Sequence, residues 1–176
     1  HESLDIRIKS ARKVAESINK IQVKRSFDNY PDLRFWQKTW SDLVHSLERQ
    51  KQHQEKIQAL LRSAQERYLK GISESEKNSW RNAVNLYDLA IQDYMMLIEI
   101  AIDNTDTFRE RIEEIDKVRQ KAMCELFIDE ARDKKRWAEY YQSESEWGEA
   151  INQWEEVCLI YNRVRDTSME YNNKIN

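Results

Sequence analysis

The sequence predicts an all-α protein of about five helices, several of them long. Its 176 residues include only 2 glycines and 1 proline, which cannot supply the frequent turns of a β-sandwich or barrel. Apolar residues recur instead at spacings of three and four, the signature of one helical face. A chain of this length can bury a core without disulfide bonds or metal ions. We therefore expect antiparallel helix pairs, stacked as a short repeat array or as a bundle.

A first helix is predicted to end near residue 25. Its apolar positions between Ala11 and Ile18 follow the helical spacing. Segment 26–32 contains the only proline and predicts a loop. Asp32 at the end of this loop is a candidate N-cap for the next helix.

A second helix is predicted from about residue 33 to 72, on the order of 60 Å long at 1.5 Å per residue. Residues 48–56 contain no apolar side chain, so a break in this stretch stays open. Near the start of the helix, Phe35, Trp36 and Trp40 provide more aromatic area than one buried face needs.

Three further helices follow. A polar loop is predicted over 73–79, and Thr107 with Glu110 has the spacing of a capping box. The predicted helices are Trp80–Ile102, about 108–142, and Trp147 to the C-terminal region. We expect two parts of one continuous domain, an N-terminal helical hairpin over 1–56 and a helical repeat region over 57–176.

An internal repeat connects the third and fifth helices. Each of its positions recurs 67 residues later, the spacing between the first tryptophans of the two copies. The first copy reads Trp80, Ala83, Tyr87, Ala90, Tyr94 and the second reads Trp147, Ala150, Trp154, Val157, Tyr161. An alanine lets a paired helix approach closely, and the aromatic residue four positions later fills the gap beside it. These residues are therefore predicted to have packing roles.

Segment 125–161 resembles a tetratricopeptide repeat. Trp137, Ala138 and Tyr141 match the signature of that motif's first helix, and the second copy of the repeat matches its second helix. The spacing of 67 is about twice the 34-residue period of the family. Segment 60–94 resembles the motif less closely, because its second helix fits but its first helix does not.

The resemblance implies that the first helix of each repeat lines an inner groove. On the helix before Trp147 it assigns a partner-binding role to Arg132, Lys135, Arg136, Glu139 and Tyr140. Arginine and tyrosine are common anchors of interfaces, and the cations would suit an acidic peptide or partner helix. The alternative is a solvated face whose cations pair with Asp133 and Glu139.

The sequence contains no recognisable catalytic or cofactor site. Two glycines cannot build a phosphate loop or a dinucleotide fingerprint, and no Gly-x-Ser-x-Gly occurs. His45 and His53 are eight residues apart, and no Glu-x-x-His motif accompanies them. We expect neither an enzyme nor a bound cofactor or metal.

Charge and cysteine content limit the kinds of partner and the cellular compartment that we expect. The net charge is −3, whereas nucleic-acid binders usually carry a basic excess. Cys124 and Cys158 lie in apolar stretches, so we expect both to be reduced and largely buried, in a cytoplasmic protein. No apolar run approaches the length of a membrane span, which makes a membrane partner unfavoured. Because the chain starts at His1, we expect a processed product or a piece of a longer protein.

The predicted function is a non-catalytic scaffold or adaptor that binds a peptide or a partner helix. Stacked antiparallel helix pairs provide an extended surface suited to such recognition. Two alternatives stay open: a dimerising coiled-coil or membrane-associated bundle, and a helical sensor domain of a larger receptor. The sequence leaves the oligomeric state undetermined.

Overall fold

The computed structural model describes residues 3–24, 31–101 and 104–175. These residues form five helices and no strand, which confirms the all-α prediction. The helices are α1 (Leu4–Lys24), α2 (Pro31–Glu76), α3 (Trp80–Ile100), α4 (Thr105–Ser143) and α5 (Trp147–Ile175). The contacts divide the chain into two compact units, His1–Ala59 and Leu60–Asn176. The predicted division between residues 56 and 57, into two parts of one continuous domain, stays a prediction.

Helix α2 is continuous through residues 48–56, so the break left open there does not occur. It begins at Pro31, because a fixed φ and a missing N–H suit the first helical position. Asp32 lies within the first turn, and its prediction as the N-cap is wrong. The predicted loop over 73–79 is shorter than expected, because α2 continues to Glu76. Of the other predicted loop, residues 25–30 lie outside the described residues.

The start of α4 also differs from the prediction. The helix begins at Thr105, after Asn104, which has a left-handed φ of 68° and makes no side-chain cap hydrogen bond. Asparagine tolerates this backbone region better than most residues. Thr107 and Glu110 lie inside the helix, so the predicted capping box is wrong. The predicted end of α3 at Ile102 lies outside the described residues.

In the first unit, α1 packs along the first part of α2. Ile8, Ala11 and Leu47 are buried together, and the partly buried side chains around them are Leu4, Trp40 and Val44. Beyond this small core the contact is ionic: Lys51 donates to Asp5 at 2.6 Å and Arg12 Nε donates to Glu48 at 3.1 Å. The stretch without apolar side chains therefore pairs with α1 through exposed charges, which stabilise a contact only modestly.

In the second unit, the turns before α3 and α5 have the same backbone geometry. Asn78 and Ser145, which are 67 residues apart, have left-handed φ values of 58° and 64°. The amide after each of them donates to a carbonyl five residues back, Ser79 to Glu74 and Glu146 to Tyr141, both at 2.9 Å. Such bonds satisfy carbonyls that the end of a helix leaves unpaired. The repeat found in the sequence is thus also a repeat of turn geometry.

Small residues at the repeated spacing are buried in both helix pairs. They are Ala64, Gly71, Ala83 and Ala90 in the first pair, and Ala131, Ala138, Ala150 and Val157 in the second. The predicted burial of Ala83 and Ala150 is therefore confirmed. Without large side chains at these points, the backbones of paired helices can approach closely.

Tyr87 fills the space between α2 and α3. Its ring lies so close to Gly71 that a Cβ there would be 2.6 Å from the ring. The Tyr87 hydroxyl shares a hydrogen bond of 3.1 Å with Ser75, and the ring is tilted against Tyr68 at a centroid distance of 6.1 Å. Burial raises the pKa of Tyr87, and the hydrogen bond with Ser75 opposes that rise.

A second polar contact sets how α2 and α3 meet. Arg67 donates to Asp93 at 2.7 Å, and the same guanidinium nitrogen donates to the Leu89 carbonyl at 3.2 Å. Asp93 is buried, so its charge needs this partner. At the equivalent place in the second pair stand Lys134 and the apolar Ile160, and Lys134 pairs instead with Glu156.

Replacement of Ala150 by leucine should destabilise the fold. The extra side chain would enter a contact between α4 and α5 that has no room for it, at a cost of roughly 1–3 kcal/mol. Thermal or urea unfolding followed by circular dichroism measures this cost. Asn152→Leu, at an exposed position of the same helix, is the matched control and should change stability little. Equal stability of the two variants would contradict a tight contact at Ala150.

The two glycines should respond in opposite ways to replacement by alanine. Alanine is the better helix former by about 1 kcal/mol. At Gly148 nothing lies within 4 Å of the added Cβ, so Gly148→Ala should be neutral or stabilising. Gly71→Ala should be destabilising, because the ring of Tyr87 is enclosed and cannot move away without loss. Unfolding midpoints of both variants test this, and a stabilised Gly71→Ala protein would contradict the close packing.

Candidate interaction surface

All five residues predicted to bind a partner are exposed on the C-terminal half of α4. Their charges are already paired along the helix. Arg132 donates to Asp129 at 2.9 Å, and Lys135 lies 3.6 Å from Glu139. Because such exposed pairs are weak, they leave the cations available to a partner.

The five residues occupy two different stripes of α4. Arg132, Lys135 and Glu139 follow the spacing of one stripe. Tyr140 lies on another and packs edge to face against the exposed Trp137, at a centroid distance of 5.9 Å. Arg136 lies between them and contributes to a shallow cleft with Trp137 and Tyr140. The five residues spread over one broad exposed side of α4, and their role in binding a partner stays a prediction.

Sequence reasoning missed a larger surface, which the internal repeat makes visible. On α3 one side is covered by the first half of α4: Arg119 donates to Asp88 at 2.9 Å, and Phe108 packs on Tyr94 at a centroid distance of 6.1 Å. No residue of this side is exposed. Its members are Trp80, Val84, Asp88, Ile91, Tyr94 and Ile98, with Tyr87 at the border where α3 meets α2.

The equivalent residues of α5 are all exposed, and we call them the α5 face. They are Trp147, Ile151, Trp154, Glu155, Cys158, Tyr161 and Arg165. The exposed fractions are 59% for Trp147 and 57% for Ile151, far above those of ordinary core residues. The prediction that Trp147 and Trp154 have purely packing roles is wrong, because α5 packs on α4 through a different stripe, which includes Ala150, Val157 and Ile160.

The α5 face is mainly apolar, with a shallow cleft at its middle. A cleft of about 470 Å³ is lined there by Ile151, Trp154, Glu155, Cys158, Leu159 and Asn162. Single exposed apolar side chains are ordinary, whereas a continuous stripe of large ones is uncommon on the surface of a monomeric protein. The signal in the sequence was the number of apolar residues on α5, which exceeds what a single neighbouring helix can cover.

A stripe on the second half of α4, which we call the α4 flank, is equivalent by the 67-residue repeat to a stripe on α2. It consists of Ile128, Arg132, Lys135 and Glu139, equivalent to Leu61, Gln65, Tyr68 and Ile72 on α2. In the first pair this stripe meets the first half of α4, where the Arg111 guanidinium lies 4.6 Å from the centre of the Tyr68 ring. Leu61, Gln65 and Tyr94 also line one cleft with Phe108 and Arg111. The first half of α4 thus lies in the groove between α2 and α3.

The cysteines differ from the prediction. Cys158 is exposed, on the α5 face, so its predicted burial is wrong, and Cys124 on α4 is only half-buried. Burial raises the pKa of the Cys124 thiol, and the nearby Glu125 adds to the rise. The two thiols are unpaired in the structure.

In the described part of the first unit, the exposed aromatic side chains and His45 lie in separate places. Phe35 and Trp36 are exposed and meet edge to face at 5.7 Å, while Trp40 packs against the small core. His45 Nδ1 lies 3.8 Å from Glu48 Oε2. Over residues 3–24, 31–101 and 104–175, no three histidine, cysteine or acidic side chains are grouped to hold a metal ion. Nor does any helix in these ranges combine the length and apolar character that crossing a membrane requires.

Comparison with known proteins adds no relative. No family model, curated protein or solved structure matches the chain. The resemblance to tetratricopeptide repeats consequently stays a prediction, carried by the residues of segments 60–94 and 125–161.

The two thiols should react with a maleimide at different rates. Cys158 should be labelled rapidly in the native protein, because it is exposed. Cys124 should react slowly until denaturant is added, because it is half-buried and its raised pKa reduces the reactive thiolate. Mass spectrometry of timed samples measures both rates, with Cys158→Ser as the control that isolates Cys124. Slow native labelling of Cys158 would contradict the exposure of the α5 face.

Proposed function

We propose that this protein is a non-catalytic scaffold whose second unit binds a helix of a partner protein. The observation that carries this proposal is the contrast between equivalent faces of α3 and α5. The face of α3 is covered by a helix of the same chain, whereas the α5 face has the same apolar character and is open to solvent. An amphipathic helix that lays its apolar side in such a groove is a common mode of recognition.

The composition of the surface supports the same function. Tryptophan and tyrosine provide large contact area and are enriched among the residues that dominate binding energy. Trp147, Trp154 and Tyr161 lie on the α5 face at successive intervals of seven residues. By equivalence with the stripe of α2 that meets α4, Arg132, Lys135 and Glu139 on the α4 flank would border the groove and contact the rim of a partner.

Two features support a reducing compartment such as the cytoplasm. Cys158 is a free and exposed thiol, and Cys124 has no disulfide partner. A solvent-accessible thiol on a binding face would be readily oxidised outside a reducing environment.

Substitutions on the α5 face should abolish partner capture. We expect the Ile151→Lys, Tyr161→Lys double variant to lose more than about tenfold in partner recovery, because charges would replace apolar anchors. The measurement is affinity purification of the tagged chain followed by quantitative mass spectrometry, and then calorimetry with the purified partner. Arg132→Glu, Lys135→Glu, Arg136→Glu should weaken the same association mainly through slower binding.

The matched control is Leu69→Lys, Met95→Lys. Both residues are exposed and apolar and lie in the same unit, but outside the α5 face. Circular dichroism should show unchanged helicity for all variants, since exposed substitutions alter stability little. Equal recovery of every captured protein by the α5 double variant and the parent would refute the proposed function.

A further inference from the structure

We infer that the groove beside α5 receives an amphipathic partner helix of a specific charge order: a carboxylate near its N-terminus and a cation about two turns later. The inference rests on the proposed function and adds the chemistry and direction of the partner. It is argued from the way in which the first half of α4 lies against α2 and α3.

The direction follows from contacts in the first helix pair. Tyr94 meets Phe108, Asp88 meets Arg119 at 2.9 Å, and Arg81 meets Glu130 at 3.2 Å. These contacts move towards the N-terminus of α3 as they move towards the C-terminus of α4. The two helices are therefore antiparallel. A helix seated in the equivalent groove would run antiparallel to α5, with its N-terminal turns beside Tyr161.

The apolar part of the groove fits a helix like the first half of α4. Phe108 and Ile115 of that segment are buried. Tyr161 is equivalent to Tyr94, which receives Phe108. An aromatic residue near the N-terminus of the partner helix would therefore meet the open Tyr161 side chain, and an aliphatic residue seven positions later would lie towards the middle of the α5 face.

The charged part of the groove indicates that the partner helix differs in charge from the first half of α4. In the first pair Arg111 lies over the neutral ring of Tyr68. The equivalent of Tyr68 is Lys135, and the equivalent of the neutral Gln65 is Arg132. Arg132 pairs with Asp129 and Lys135 with Glu139, but these exposed pairs are weak. A carboxylate at the position of Arg111 would therefore be favoured there over a cation.

At the other end of the groove, both helix pairs have an acidic residue at the same position. Asp88 binds Arg119 in the first pair, with a further bond from Arg119 to Asp116 on its own helix. Although burial lowers the pKa of Arg119, these two carboxylates outweigh it and leave that pKa raised. The equivalent of Asp88 is Glu155, which is exposed on the α5 face. A partner cation eight residues after the carboxylate would pair with Glu155 as Arg119 pairs with Asp88.

Synthetic peptides with the sequence of residues 105–123 provide the probe. We would compare the natural sequence, an Arg111→Glu peptide, and an Arg111→Glu, Arg119→Glu peptide, each with a fluorescent label, by anisotropy against the complete chain at low salt. The Arg111→Glu peptide should bind about threefold to fivefold more tightly than either of the others, the range expected for partly exposed ion pairs. It should also protect Cys158 from maleimide, which reports occupancy of the α5 face.

Charge reversal on the protein provides the matched controls. Lys135→Glu should reverse the preference, so that the natural peptide binds more tightly than the Arg111→Glu peptide. Glu155→Arg should restore binding of the doubly substituted peptide. Both positions are exposed, and unchanged circular dichroism would show that the variants fold.

The outcomes distinguish the two levels of the proposal. If all three peptides bind equally and protect Cys158, the groove binds helices and the charge order is wrong. If no peptide protects Cys158, helix docking on α5 is refuted together with the proposed function. Protection of Cys158 that rises with protein concentration alone, accompanied by dimers in sedimentation, would instead show a second copy on the α5 face and overturn the inference.

Discussion

Close approach between paired helices is the constraint on which the second unit depends. Gly71 lies directly against the ring of Tyr87, and Ala64, Ala83 and Ala90 are fully buried around it. Larger side chains at these positions would separate α2 from α3 and would move the whole of α3 with its two faces. The groove that receives the first half of α4 exists only because this pair is close. In the second pair, Ala131, Ala138 and Ala150 are buried at the equivalent positions, which indicates a similarly close approach of α4 and α5.

The length of α4 explains why one groove is filled and the other open. The helix spans 39 residues, so its first half can lie against α3 while its second half pairs with α5. The contacts of Phe108, Arg111 and Arg119 belong to the first role, and the burial of Ala131 and Ala138 belongs to the second. One helix thus serves as the cover of one pair and as a member of the next.

The sequence predicted the parts of this fold that depend on periodicity. The all-α class, the long and continuous α2 and the burial of Ala83 and Ala150 all follow from residue spacing, which local geometry converts directly into helical faces. Helix ends were predicted less well, because caps compete with one another. Asn104 adopts a left-handed conformation before α4 although Thr107 and Glu110 have the better capping pattern. The two shared turns were missed for a similar reason, since Asn78 and Ser145 are different residues in the same conformation.

Periodicity failed at the candidate site for a different physical reason. Spacing shows which residues share a helical face, but it does not show whether a neighbour covers that face. Trp147, Trp154 and Cys158 match covered residues of α3, so a core position was the natural expectation, yet all three are exposed. The three-dimensional contacts show that α3 packs on α2 with one stripe and on the first half of α4 with another. They also show that α5 packs on α4 with one stripe and leaves its second stripe open.

The change in polarity between the two grooves bears on what covers the second one. A cover that packs like the first half of α4 would meet neutral residues, as it meets Gln65 and Tyr68 in the first pair. The equivalent residues of the α4 flank are instead the cations Arg132 and Lys135. Two cations beside an apolar stripe oppose a cover that resembles the first half of α4, because Arg111 would lie against them. The same substitution favours a carboxylate at that place and therefore discriminates between helices of similar apolar content. In the proposed complex, the exposed Glu155 would pair with a partner cation at the other end of the groove. An apolar stripe gives affinity without direction, whereas opposite charges at its two ends distinguish one helix orientation from its reverse.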